Sequence, residues 1–482
     1  MKYIKKLILS AAACTLLASS CTFDVLDDNP YYMGDSADQI FSDPKKISAA
    51  AVGMYDALQN AEYLGGRTQI YVDSRGLDVN PPTYFGPIAN FNPTANNSTI
   101  ENAWQGAYRT IYECNLFLQG IDGALASSII TQEEYNGYAA EAKFIRSIVY
   151  FYTLNLWGQM YVAKTENLGV PLILIPYDGG SAFTDAPKNT RSTINQCYDQ
   201  IISDLTYAEE NLKPNWGDDD YSNRARATKS AAQAMLSRVY LYTGDYDKVI
   251  ANADKLIPSA DGGAGKYALD LTVVDVFASP TSSSEIIFFV AMNSADNPNT
   301  NNALGQHYGA SGRADITVSE VYQNLLSAKD TRKTKGLLSK DGAVYCNKYQ
   351  KKSFDWAPII RYAEVMLNKA EALVKKNKQV DATAVKLLSS VHSRSDADKT
   401  YTTADFATSE QLLEEILLER RRELAFEGHA SFDLFRNKKG ISAGRGGAIV
   451  PAIDYPSDYF ALPIPSSDVE KAGGLLVQNN GY

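Results

Sequence analysis

Histidine is nearly missing from this chain: His307, His392 and His429 are the only three in 482 residues. No HExxH, GxSxG or phosphate-loop pattern occurs. Paired-histidine metal chemistry and elbow-type serine hydrolysis therefore have no carrier, and neither a metal nor a cofactor is implied. Gly263-Ala264-Gly265 mimics a dinucleotide fingerprint, but Leu269 to Val274 reads as a strand where that motif needs a helix. Cysteine is also scarce. Beyond Cys14 and Cys21 there are Cys114, Cys197 and Cys346, odd in number and far apart, so they form no disulfide framework and no zinc pattern. Buried free thiols are expected. Positive charge is in deficit, at a formal net charge of -10, which suits phosphate backbones poorly and argues against a nucleic-acid partner. After the N-terminus no apolar run reaches membrane-spanning length, and Ile286 to Ala291 is a buried strand at most. No low-complexity linker divides the chain.

The first residues follow a different rule. Lys2, Lys5 and Lys6 precede an apolar run from Leu7 to Ala18, which ends in Ser19-Ser20-Cys21. Basic region, short apolar core, small residues and cysteine predict a lipoprotein signal peptide over 1–20, with lipid attached at Cys21. Ala18 stands where leucine is usual, with Leu17 one place off. Removing the three lysines moves the formal charge from -10 to -13.

What the chain has in quantity is helical periodicity. Ala231, Met235, Leu236, Val239 and Tyr240 lead to Gly244-Asp245, then Val249, Ile250, Ala253 and Leu256 follow. That spacing predicts a helix, a tight turn and a second helix, similar to a tetratricopeptide repeat. Further stripes run through Tyr138 to Tyr152, Ile194 to Leu205 and Ile360 to Val374. Such pairs cannot bury their apolar faces alone and must stack. Long irregular insertions separate them, which argues against an uninterrupted repeat adaptor.

In the stretch 416–436, Ile416, Leu417, Arg420 and Leu424 share a helical stripe. Arg420 on an apolar stripe needs a carboxylate partner, and Glu423 is the first candidate. Glu419 and Arg422 make an i,i+3 pair, and Gly428 stands where a C′ glycine is expected. Glu419-Arg420-Arg421-Arg422-Glu423-Leu424-Ala425-Phe426-Glu427-Gly428-His429, then Phe432-Asp433-Leu434, resembles the signature of the SusD/RagB family. Leu156-Trp157-Gly158 with Gly169-Val170-Pro171-Leu172 is similar to a second family segment, interrupted at 159–168. Leu462-Pro463-Ile464-Pro465 and Gln478-Asn479-Asn480-Gly481-Tyr482 are similar to its closing pattern. Trp104, Tyr108, Ile111 and Asn115 fit an N-terminal helix of the family.

The resemblance implies a mainly α fold. It is a SusD-like α/α superhelix of about four tetratricopeptide-repeat-like helix pairs, with irregular loops and a few short strands on the ligand side. It implies one compact unit from 21 to 482, with an N-terminal part to about 225 and a C-terminal part from about 226. It further implies a surface lipoprotein of the outer membrane that is not an enzyme. Such a protein captures an oligosaccharide and delivers it to a SusC-like TonB-dependent transporter. Peptide capture and a lipoprotein glycoside hydrolase are the alternatives; the hydrolase stays open because only the fold sets the separation of two catalytic carboxylates.

Two loops join aromatics to amides. Residues 80–99 hold Tyr84, Phe85, Phe91, Asn90 and Asn92, and residues 293–314 hold His307 and Tyr308. A ring face packs on the C–H side of a pyranose while amides bond its hydroxyls. These residues are expected to form one shallow binding surface, with Arg75 as an added candidate that an Asp73 or Asp78 pair would explain equally well.

Overall fold

The computed structural model describes residues 37–161, 165–177, 189–262, 265–442 and 452–482. The leader, Cys21 and part of the Gly263–Gly265 stretch lie outside the described residues. The main helices are α1 Ala37–Phe41, α2 Pro44–Leu58, α3 Arg67–Ser74, α4 Ser98–Ala126, α5 Gln132–Trp157, α6 Ile194–Asn211, α7 Lys229–Thr243, α8 Tyr246–Asp254, α9 Tyr362–Asn377, α10 Ala382–Ser395, α11 Ser409–Leu424 and α12 Ala430–Arg436. The short strands are β1 Val79–Asn80, β2 Ile286–Val290, β3 Thr317–Val318, β4 Leu337–Lys340, β5 Ala343–Cys346 and β6 Ala357–Arg361. They pair antiparallel as β1 with β3, β2 with β6 and β4 with β5. The chain is mostly helical, with few short strands.

Local chemistry starts and stops the helices. Thr131 accepts from the Glu134 N–H and the Glu134 carboxylate accepts from the Thr131 N–H, which closes a capping box on α5. Thr193 and Gln196 do the same for α6. Each such cap is worth about 1 kcal/mol. α7 ends at Gly244, whose φ of 78° is the left-handed turn glycine takes most readily, and Asp245 then caps α8. The expected helix, turn and helix over 231–256 is thus present.

Packing follows chain order. α4 packs on α5, α5 on α6, α6 on α7, α7 on α8 and α8 on α9, which also meets α10 and α11. A contiguous core runs from Ile47 to Leu476 and includes the fully buried Trp157, Ile148 and Val149. Burying one such aliphatic side chain contributes about 1.5–3 kcal/mol. The two ends of the 159–168 interruption meet, since the Gln159 N–H donates to the Leu168 carbonyl at 2.8 Å. Asn479 then draws the chain end in, donating to the carbonyls of Trp157 and Leu462 and accepting from Arg191. Cys114, Cys197 and Cys346 are buried free thiols.

Three expectations are corrected. The stretch 269–274 is not a strand; Thr272 and Asp275 form a capping box that starts a helix at Val273–Ala278. The signature helix stops at Leu424, before Glu427. Gly428 is therefore not its C′ residue. It lies in a later turn at φ 79°, where a Cβ would meet Gln69 Cα at 3.0 Å and where its N–H reaches the Asp73 carboxylate. Third, Arg420 is buried as expected, but its carboxylate partners are Asp433 at 3.2 Å and Glu371 at 3.9 Å, not Glu423. Asn368 accepts from it as well.

Glu423 is held elsewhere. Arg361 lies 2.7 Å away, Arg394 closer still, and Arg332 at 3.4 Å. Burial opposes charge on Glu423, but Arg394, Arg361, Arg332 and Lys348 outweigh it and hold its carboxyl well below the usual range. Glu419 pairs with Arg332, His392 and, as expected, Arg422. Glu427 pairs with Arg361 and Lys348.

Removing one partner of a buried pair costs about 3–5 kcal/mol. Arg420→Ala is therefore expected to lower thermal stability strongly, as read by calorimetry. A variant that melts like wild type would show that Arg420 has no structural role.

His429 offers a pH test. Burial pushes its pKa down to about 4, and Glu364 opposes this only in part. Between about 6.5 and 4 the unfolded chain takes up a proton that the folded chain refuses, so this group costs stability as pH falls. At about 1.4 kcal/mol per unit the loss is up to about 3.5 kcal/mol. His429→Gln should gain stability relative to wild type over that window. Parallel melting curves at pH 7 and pH 4.5 would contradict the assignment.

Candidate functional site

The two aromatic loops do meet. β1 pairs with β3 through Val79 and Val318, which brings the segment after Asn80 against the segment before Thr317. Pro81 and Pro82 cannot continue a ladder, so the chain turns through Thr83–Phe85 and a one-turn helix, Gly86–Ala89.

Proximity does not make a ring platform. Phe85 and Tyr308 are fully buried and Phe91 is 3% exposed. Phe85 packs edge-on against Tyr71 and lies 5.6 Å from His307. Phe91 joins Phe435, Ile441 and Phe460 in a small separate core. The Tyr308 hydroxyl donates to Asp73 at 3.0 Å. His307 and Arg75 are buried too. Arg75 donates to the carbonyls of Tyr459 and Phe460 and lies 4.7 Å over the Phe91 ring, while Asp78 holds Arg421. The expectation of a shallow surface built on Phe85, Phe91 and Tyr308 is thus corrected. In a loop too irregular to hide behind its own backbone, large rings are drawn into the core because apolar area leaves water there.

What stays outside is Tyr84, 44% exposed. Its hydroxyl donates to Asp315 Oδ2 at 2.7 Å and lies 3.2 Å from His307 Nδ1. His307 Nδ1 is 2.8 Å from Asp315 Oδ1, and Nε2 is 2.7 Å from the Asn301 carbonyl. Arg313 donates to Asp315 and to the Asn301 side chain, with its guanidinium 5.6 Å over the Tyr84 ring. Arg67 donates to the Asn302 side chain and the Asn301 carbonyl and lies 4.9 Å over Phe85. Burial would raise Asp315, but hydrogen bonds from His307, Tyr84 and Arg313 hold it below the usual carboxylate range. Burial, followed by the bond to Asp315, raises the Tyr84 hydroxyl.

The result is an exposed ring locked at its hydroxyl, with two guanidinium groups and exposed Asn301 beside it. Beyond the one-turn helix, Asn92 is exposed and Asn90 half-buried. The sequence reading missed Arg67, Asn301, Asn302 and Asp315. Arg67 carried no signal. Arg313 and Asp315 carried no periodic signal either, since they flank Ala314 at φ 55°, a left-handed turn and not extended chain. Among the described residues no cluster of metal-ligating side chains occurs, and no helix is long and apolar enough to cross a membrane.

Residues 24–241 match a family model described as "Starch-binding associating with outer membrane", and residues 324–482 match one described as "SusD family". SusD-like protein P2 of Formosa agariphila is 26% identical over 520 aligned residues, covering 95% of this chain and 96% of that one. A SusD superfamily protein from Bacteroides fragilis superposes with a TM-score of 0.78 at 27% identity, over 90% of this chain and 99% of that chain. A laminarin-binding SusD-like protein shares the fold at a TM-score of 0.72 and 22% identity, over 91% of this chain and 100% of that chain.

Proposed function

The chain belongs to the SusD/RagB family, and we propose that it captures an oligosaccharide on the exposed face of Tyr84 and delivers it to a SusC-like TonB-dependent transporter. The observation that carries this reading is the Tyr84 ring itself, fixed by Asp315 and His307 and flanked by Arg67, Arg313 and Asn301. A fixed ring loses little freedom when a pyranose stacks on it, and the flanking donors match sugar hydroxyls. Asn90 and Asn92 are proposed as further hydroxyl partners. Phe85, His307 and Tyr308 act beneath the surface as its support, whereas Phe91 and Arg75 pack together beside Phe435. The family description of starch binding at the outer membrane, and a protein of the same fold that binds laminarin, favour carbohydrate over peptide. Asp315 takes bonds from three side chains and is held ionised, which makes it a poor proton donor and weighs against hydrolysis at this corner. The unit from Cys21 onward is proposed to work as one body, anchored by lipid at Cys21.

Polysaccharide-retardation gels containing laminarin or starch test the binding. A stacked ring is worth about 0.5–1.5 kcal/mol beyond its area, so Tyr84→Ala should weaken retardation several-fold with an unchanged melting temperature. Wild-type binding by that variant would remove Tyr84 from the site. No retardation of wild type by either polysaccharide would remove the glucan reading.

Anchoring has its own test. Cys21→Ala should move the protein from the membrane to the soluble fraction, since the acyl groups supply the affinity. Membrane retention of that variant would contradict the anchor.

A further inference from the structure

A second cleft lies away from Tyr84. Two adjoining cavities of about 310 and 530 Å³ share Gln159, Met160 and Tyr455. The C-terminal end of α5, the turn between α7 and α8, α12 and the loop 455–461 form their walls. Three half-buried tyrosines face this space: Tyr161, Tyr246 and Tyr455. Within the described residues none of the three hydroxyls is hydrogen-bonded. Tyr161 is held edge-on by Tyr198 at 5.1 Å, and Tyr455 leans on Phe460 at 6.2 Å, so two of the rings are braced from behind.

Amides complete the lining. Gln159 spends its carbonyl oxygen on the Leu168 N–H, which leaves its NH₂ group. Asn167 spends its NH₂ group on the Met160 carbonyl, which leaves its oxygen. Asn480 is exposed at the rim. One amide thus offers donors and another an acceptor, the mixture that vicinal hydroxyls use. Charge is balanced. Lys375 and Arg436 are committed to Glu371 at 2.7 and 2.6 Å, which leaves Lys438 and Asp458, one of each sign. A neutral, hydroxyl-rich ligand fits such a lining, whereas an anion would meet Asp458 and a cation Lys438.

We infer that this tyrosine and amide cleft is a second saccharide subsite, for a short neutral oligosaccharide, separate from the Tyr84 corner. The cavity sizes suit a few sugar rings, within the range of small-molecule sites of about 300–1,000 Å³. The inference does not rest on Tyr84 being a binding residue.

Saturation-transfer titrations test it, using the whole mature chain carrying Cys21→Ala and laminarihexaose and maltohexaose as probes. With Tyr84→Ala added, at least one probe should still give a saturable signal. Adding Tyr161→Ala and Tyr455→Ala should then cut that signal at least five-fold at unchanged melting temperature. Should that variant fold poorly, Tyr161→Phe with Tyr455→Phe keeps both rings and removes only the hydroxyls; it should weaken binding two-fold or more. Signal lost with Tyr84→Ala alone would overturn the second subsite and leave the first reading intact. Signal that survives both pairs of substitutions would overturn it as well. Absence of signal with either sugar in the starting protein would overturn both readings for neutral glucans.

Discussion

The structure depends on keeping three buried carboxylates charged. Glu419, Glu423 and Glu427 lie four residues apart and are almost wholly out of water. A lone buried carboxylate would take up a proton or force the site open, since desolvation costs several kcal/mol per ion, roughly. Here Arg332, Arg361, Arg394 and Lys348 converge from four separate stretches, so each acid is matched where it sits. Such a lattice adds little net stability over apolar packing. What it enforces is position, because shifting one cation strands a charge elsewhere. The stretch from Glu419 to Glu427 is therefore fixed relative to β6, α10 and the chain around Arg332.

That fixed stretch reaches the surface through a short run of contacts. Gly428, just past Glu427, gives its N–H to Asp73 on α3. Asp73 also accepts from Tyr308, and burial raises its carboxyl to about 7. His307, next in sequence, holds Asp315, and Asp315 holds Tyr84. A ring that would swing freely on an isolated loop is thereby tied, link by link, to the ion-pair lattice. The same α3 carries Arg67, whose guanidinium sits beside that ring's neighbour Phe85. Rigid placement of an otherwise exposed aromatic is what lowers the entropic cost of stacking a ligand on it.

Much of this was legible in the residues, for identifiable reasons. The stripes around 138–152, 194–205, 231–256 and 363–374 became α5 to α9 because a helix writes its buried face at a fixed period, while Ile360, expected in the last stripe, falls in β6. The adjacency of 80–99 and 293–314 was also foreseen, and β1 with β3 supplies it. The orientation of the rings was not. Phe85, Phe91 and Tyr84 sit in one irregular loop with no period to mark inside from outside, and only the neighbours Tyr71, Phe435 and Asp315 sort them. The Tyr161 and Tyr455 cleft was equally invisible, since nearly three hundred residues separate its two rings.

By itself the sequence determined the helical scaffold, the thiols, the absence of catalytic histidine patterns and the family signature. All of these depend on spacing along the chain or on composition. Tertiary structure alone decided that Arg420 meets Asp433 and Glu371 and not Glu423, that Arg75 serves backbone carbonyls, and that Tyr84 is the ring left in water. Ion-pair partners and exposure are properties of what arrives from distant segments. An i,i+3 spacing states only that two side chains could touch, whereas burial lets the charges compete, and the partner that satisfies every buried group at once prevails.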